Sequence, residues 1–148
     1  MLVEQILRSK GSGVAGGGVV TLTPETPMVE VVRVLEMRGI GAVVISSDGT
    51  RPEGIVTERD LVRETARRGA ECLDLPASRV MTRALKTCAP EDTADMVMAQ
   101  MTSGRFRHLP VMHEGKMIGL ISIGDVVKAR LEELSMEKDA LQGMIMGF

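Results

Sequence analysis

The chain has no tryptophan, no tyrosine and only two phenylalanines, Phe106 and Phe148. Stacking of bases on aromatic rings is therefore nearly unavailable, which argues against single-stranded nucleic acid as a partner. Net charge is also scarce, formally −2 over 148 residues, so no global field favours nucleic acid or an anionic membrane. Only two cysteines occur, Cys72 and Cys88, with neither metal-ligand spacing nor a disulfide framework. A reduced, cytoplasmic setting is the simplest expectation. No run approaches the roughly 18 apolar residues of a membrane span, and residues 1–11 are too few and too charged for a signal peptide. Methionine, by contrast, is plentiful: twelve residues that can fill the irregular gaps aromatics fill elsewhere. Hydrophobic and charged contents of 44% and 26% are those of an ordinary globular protein.

One stretch is written twice. Gly54-Ile55-Val56-Thr57-Glu58-Arg59-Asp60 returns as Gly119-Leu120-Ile121-Ser122-Ile123-Gly124-Asp125, each copy an apolar strand running into a hydroxyl residue with an acid three positions on. The repetition extends to whole units. Val19-Val20-Thr21-Leu22-Thr23-Pro24 pairs with Ala84-Leu85-Lys86-Thr87-Cys88-Ala89-Pro90, and an offset of 66 aligns Pro24 with Pro90, Leu35 with Met101 and Val43 with Leu109. Apolar residues recur at helical spacing over 28–37 and 94–101. Thr26-Pro27 and Asp92-Thr93 supply helix starts, and Gly39 and Gly104 fall where those helices should stop. Strands follow over 40–45 and 106–111, then tight turns at Asp48-Gly49 and Glu114-Gly115, then the repeated strand and a second helix. Each unit reads strand–helix–strand–strand–helix, and self-similarity at one period is the strongest fold signal a single sequence offers.

The boundaries that result are a short helix and glycine-rich loop over 1–18, a first repeat over 19–69, a linker over 70–83, a second repeat over 84–135 and a helical tail over 136–148. Segment 11–18 reads as a loose connector, since the GK[ST] ending of a phosphate loop is missing. Leu75-Pro76 and Val80-Met81 suggest a helical turn packed on the second repeat. Each copy alone is marginal for independent stability, so the two are expected to share one core across a pseudo-two-fold axis. In the tail, Val127, Leu131, Leu134, Leu141 and Ile145 stand at helical spacing, in a helix broken or ending near Gly143. That stripe suits a neighbouring subunit or the core, and the acids Glu132, Glu133 and Glu137 disfavour anionic lipid.

Where a strand stops at Thr57 or Ser122 and opens a helix, backbone N–H groups, a hydroxyl and a carboxylate gather at one edge, a cradle suited to a phosphorylated ribose. Asp60 and Asp125 can accept from ribose hydroxyls, Thr57 and Ser122 can donate, and Arg59 offers a charged fork to phosphate. The plainer alternatives stay open. An acid in the first turn of a helix is favourable without any ligand. Arg105 and Arg107 can be a solvated pair, His108 a histidine at the core edge, and His113 simply exposed.

The doubled pattern, with Arg107-His108-Leu109-Pro110-Val111 and Val80-Met81-Thr82, resembles a tandem pair of CBS domains, a Bateman module, over about 19–135. It is similar to the small stand-alone bacterial proteins of that family. The resemblance implies an α+β fold of two β-α-β-β-α units packed through their sheets, and a flat homodimer. It also implies clefts between the repeats that take AMP, ADP, ATP, S-adenosylmethionine or NAD(H), with AMP foremost. Carried over, Asp60 with Thr57, Glu58 and Arg59 faces Arg107, His108 and Thr87, while Asp125 with Ser122 faces Gly41, Ala42 and Thr21. The first cleft then collects the arginines and is the tighter site; the second collects no comparable positive charge. The function implied is a non-catalytic sensor of an adenosine nucleotide, acting on an unidentified effector protein, with no required cofactor, no nucleic acid and no membrane. The alternative is a constitutive dimeric scaffold. For an enzyme, no nucleophile–base pair, metal cluster or phosphate-transfer motif is found.

Overall fold

A computed structural model describes residues 1–10 and 19–146, so the glycine-rich segment 11–18 and its reading lie outside the described residues. The elements run α1 (Val3–Ser9), β1 (Thr21–Leu22), α2 (Met28–Arg38), β2 (Ala42–Ile45), β3 (Gly54–Thr57) and α3 (Glu58–Arg68). Two 3-10 turns follow, Gly69–Asp74 and Ala77–Arg79, then α4 (Ala94–Gly104), β4 (His108–His113), β5 (Lys116–Ser122) and α5 (Ile123–Ile145). The architecture is the expected α+β pair of units. In the first sheet β1 pairs parallel with β2, and β2 antiparallel with β3. In the second, β4 and β5 form a hairpin turning at Glu114 and Gly115, both with positive φ. The strand expected over 84–90 shrinks to one bridge, Cys88 with Val111, the counterpart of Leu22 with Ile45. Of residues 84–88 only Cys88 is buried, so little apolar surface rewards a longer pairing.

The buried side chains sort into two clusters rather than one shared core. Met28, Val31, Leu35, Val43, Ile45 and Val56 form the first with Ala77, Val80 and Met81. Val97, Met101, Leu109, Val111, Ile121 and Val126 form the second with Val3, Ile6 and Leu7. In β2 the alternation puts Val43 and Ile45 into the first core, while Ala42 and Val44 are buried on the opposite face.

The segment after α3 packs on the first unit, not the second as expected. Met28 N–H donates to Leu75 O at 2.8 Å, Ala77 N–H to Thr26 O at 2.8 Å and Ser78 N–H to Pro24 O at 3.0 Å. The second unit receives the same service from the start of the chain: Ala94 N–H donates to Met1 O, Val3 N–H to Asp92 O and Glu4 N–H to Pro90 O, at 2.9–3.1 Å. Residues 1–7 therefore repeat residues 75–81, and each segment completes the unit that it does not immediately precede. Gly54 and Gly119 make room for them: a Cβ on Gly54 would overlap the Met81 side chain, and one on Gly119 would lie 2.7 Å from Leu7 Cδ2.

Two helix ends fall within two residues of where they are expected, with different caps in detail. Gly39 takes the left-handed position after α2 (φ 61°), but after α4 that position falls on Arg105 (φ 56°), with Gly104 still inside the helix. Gly104 is small for another reason, since a Cβ there would overlap the Phe106 ring. The last helix, α5, runs unbroken through Gly143, whose flanking Leu141, Gln142 and Met144 are good helix formers that carry it across.

Candidate functional site

The spacing of Thr/Ser-x-x-Asp is that of a reciprocal helix cap. Thr57 Oγ1 accepts the Asp60 N–H at 3.3 Å, while Asp60 Oδ2 accepts the Thr57 N–H at 2.9 Å. Ser122 and Asp125 do the same at 3.1 and 2.9 Å. In the first unit the acid is only 3% exposed, and both of its oxygens are engaged. Oδ2 also accepts the Thr57 hydroxyl at 3.1 Å; Oδ1 accepts the Arg63 guanidinium at 2.8 Å and the Thr82 hydroxyl at 3.4 Å.

This cap forms one wall of a cavity of about 500 Å³, a size that suits a small ligand. Thr57, Glu58, Arg59, Asp60, Arg63 and Ile55 line it from the first unit; Arg105, Phe106, Arg107, His108 and Ile123 line it from the second. Arg59 reaches across and donates to the Arg105 carbonyl at 3.3 Å. Arg63 and Thr82, unforeseen from the sequence, are the direct partners of Asp60. Gly41, expected beside Asp125, lines this cavity instead: a Cβ on it would meet Glu58 Oε1 and His108 Cε1 at 3.6 Å. His108 lies between the two sites. Burial lowers its pKa; Asp125 and Glu58 pull upward, and Lys10 and Arg107 add to the lowering.

Thr87 is exposed and does not line this cavity. Thr21 lies in β1 beside the Gly49 turn, and Ala42 is a buried residue paired with Thr57. The Asp125 side does hold one cation that the sequence reading did not place there, Lys10. Its ammonium donates to Asp125 Oδ2 at 2.7 Å and to the Leu120 carbonyl at 3.0 Å. In the first unit Thr82 does both jobs, its N–H donating to Ile55 O at 2.9 Å and its hydroxyl to Asp60. One ammonium thus replaces two donors. Burial raises the Asp125 pKa, but the hydrogen bonds from Lys10 and Ser122 outweigh it and hold the carboxyl below its ordinary value. Among the described residues no group of three or more His, Cys, Asp and Glu could hold a metal ion.

Two strand-and-helix units meet around a cavity with a capped acid in its wall, the arrangement of a paired-repeat module. A family model of the CBS domain matches residues 16–67 and 77–132, and the chain belongs to that family. It is 32% identical to the mitochondrial CBS domain-containing protein CBSX3 of Arabidopsis thaliana, over 98% of this chain and 72% of the relative. Among solved structures, the CBS-domain containing protein ATU1752 of Agrobacterium tumefaciens is 42% identical with a TM-score of 0.82, over 88% of this chain and 99% of that one. The CBS domain protein PAE2072 of Pyrobaculum aerophilum, solved in complex with AMP, is 26% identical with a TM-score of 0.73, over 92% of this chain and 99% of that one. CBS-domain proteins are regulatory modules, and no helix among the described residues is long and apolar enough to cross a membrane.

Proposed function

We propose that this chain is a non-catalytic regulatory module that binds an adenosine nucleotide in the Asp60 cavity and passes the resulting change to an effector protein. One observation carries the reading: a single cavity joins the capped helix start Thr57–Asp60 to the arginines and histidine of the other unit. The AMP complex of the Pyrobaculum relative supports the ligand class. Binding would set ribose hydroxyls beside the Asp60 carboxylate, which Arg63 holds in place, and bring the phosphate to the arginines across the cavity. Two buried, unpaired thiols fit a reducing compartment; burial and the charge of Asp92 push the Cys88 thiol up to about 12, far from redox reactivity at neutral pH.

The test is thermal stability against AMP, ADP, ATP, NAD, NADH and S-adenosylmethionine. Ligand at 100 times its Kd should add about 2.7 kcal/mol. Asp60→Asn keeps an acceptor for the helix cap but discards the charge, and it should lose most of that gain. An unaltered Kd in Asp60→Asn would remove Asp60 from the site, and no shift with any of the six would remove the reading.

A second reading, a constitutive homodimeric scaffold, has its own support in α5. Val127, Leu131, Leu134, Leu141 and Ile145 are 42–76% exposed along one helix, an apolar stripe left open by the described residues.

A further inference from the structure

Arg105 is one of two described non-glycine residues with positive φ, and it stands at the cavity mouth. The first unit is an internal control. Its equivalent position, 66 residues earlier, is Gly39, with φ 61° and ψ 40° against 56° and 39° for Arg105. The turn needs only a glycine, which adopts this conformation without steric cost, whereas a Cβ strains it. The second unit holds a long cationic side chain there instead, and that turn end borders the cavity. Strain kept where a neutral, relaxed residue serves elsewhere in the same chain points to a use for the side chain.

The charges around it say what that use is. Arg59, Arg105 and Arg107 line one cavity, and among the described residues none of the three has a carboxylate within ion-pair distance. Arg63, the fourth, is already matched to Asp60. Three like charges gathered at one mouth repel each other in the absence of an anion. A single phosphate has three terminal oxygens and is satisfied by one or two guanidinium forks. A longer anion gives the remaining fork a partner of its own.

Resting on the proposed binding of an adenosine nucleotide at this site, we propose that the cavity selects nucleotides with two or more phosphates, and that Arg105 determines this preference by holding the phosphate beyond the first. Arg59 and Arg107 face the phosphate attached to the ribose, and the strained turn sets the Arg105 fork at the outer end of the chain.

Calorimetry with adenosine, AMP, ADP and ATP on the full chain tests this, in the wild type, Arg105→Gly and Arg105→Lys. In the wild type ADP or ATP should bind at least about tenfold tighter than AMP, a margin of about 1.4 kcal/mol. Arg105→Gly should bring that ratio close to one while its ligand-free Tm stays level or rises, because the turn relaxes. Arg105→Lys, which keeps charge and strain, should retain part of the ratio. Equal affinity for AMP and ADP in the wild type, or a ratio that survives in Arg105→Gly, overturns the proposal and leaves the adenosine site standing. Inorganic tripolyphosphate separates the two claims. If it raises Tm through Arg105 and no adenosine compound does, the polyanion site stands and the nucleoside reading falls. If neither binds, both fall.

Discussion

Lys10 and Thr82 show one problem solved by two chemistries. Each satisfies a strand carbonyl two residues before the cap and the acid that caps the next helix, but Lys10 brings a full charge. The sign of its pH effect follows. Because the Asp125 carboxyl is held below its ordinary 3.8, the pair stabilises the fold fully above that value and is lost as pH falls through the lowered one. Lys10→Met should cost about 1 kcal/mol at pH 7, a charged hydrogen bond discounted for an ammonium one-third exposed. It should also raise the acid-unfolding midpoint followed by circular dichroism, and coincident curves for variant and wild type between pH 5 and 2 would deny the pair any such role. Asp60 was legible because the repeat writes it again as Asp125, and Arg59, Arg107 and His108 because the resemblance brings the two copies face to face. Arg63, Thr82 and Lys10 were not: Arg63, three residues from Asp60, reads equally as a solvated residue of its helix, while Thr82 and Lys10 reach their acids by tertiary approach across 22 and 115 residues. Arg105 was readable only as a charge, because a left-handed backbone leaves no trace in the residue name.

Helices and strands were legible where apolar period and caps agreed: Thr93 caps Met96 N at 3.1 Å, and Gly39 ends α2. Thr87 was placed by the resemblance alone, and the residues themselves carry no sign of whether anything buries that segment. The exchanged lead segments escaped notice for another reason. Residues 1–7 match residues 75–81 at an offset of 74, not 66, and Ile6-Leu7 against Val80-Met81 was the signal available. Their weight is testable in α1. Leu7 is 6% exposed against Gly119, so Leu7→Ala should cost about 2–5 kcal/mol. Hydrogen exchange should then rise in α4 and β5 while the first unit keeps its protection. Uniform loss across both units would mean that α1 serves the whole molecule and not the second core.

At the scale of the molecule, α5 is the part least accounted for by the chain itself. An isolated helix of its length gains little stability from propensity alone, and packing of an apolar face usually supplies the rest. A homodimer built on its stripe should become monomeric in Leu131→Glu/Leu134→Glu, as read by light scattering, with Tm of the fold little changed because both side chains are already exposed, 63% and 49%. A mass unchanged by that pair of charges would place any dimer on another face. The lead segments have a consequence of another kind. A half-length chain of one unit and its leader, keeping this arrangement, would seat the leader on a second molecule, as an arm exchanged between two identical chains. Duplication and fusion would turn that exchange between molecules into one within a single chain, with closure no longer dependent on concentration. Two fragments cut between α3 and Leu75 would each carry the arm the other needs, so their reassembly would be mutual.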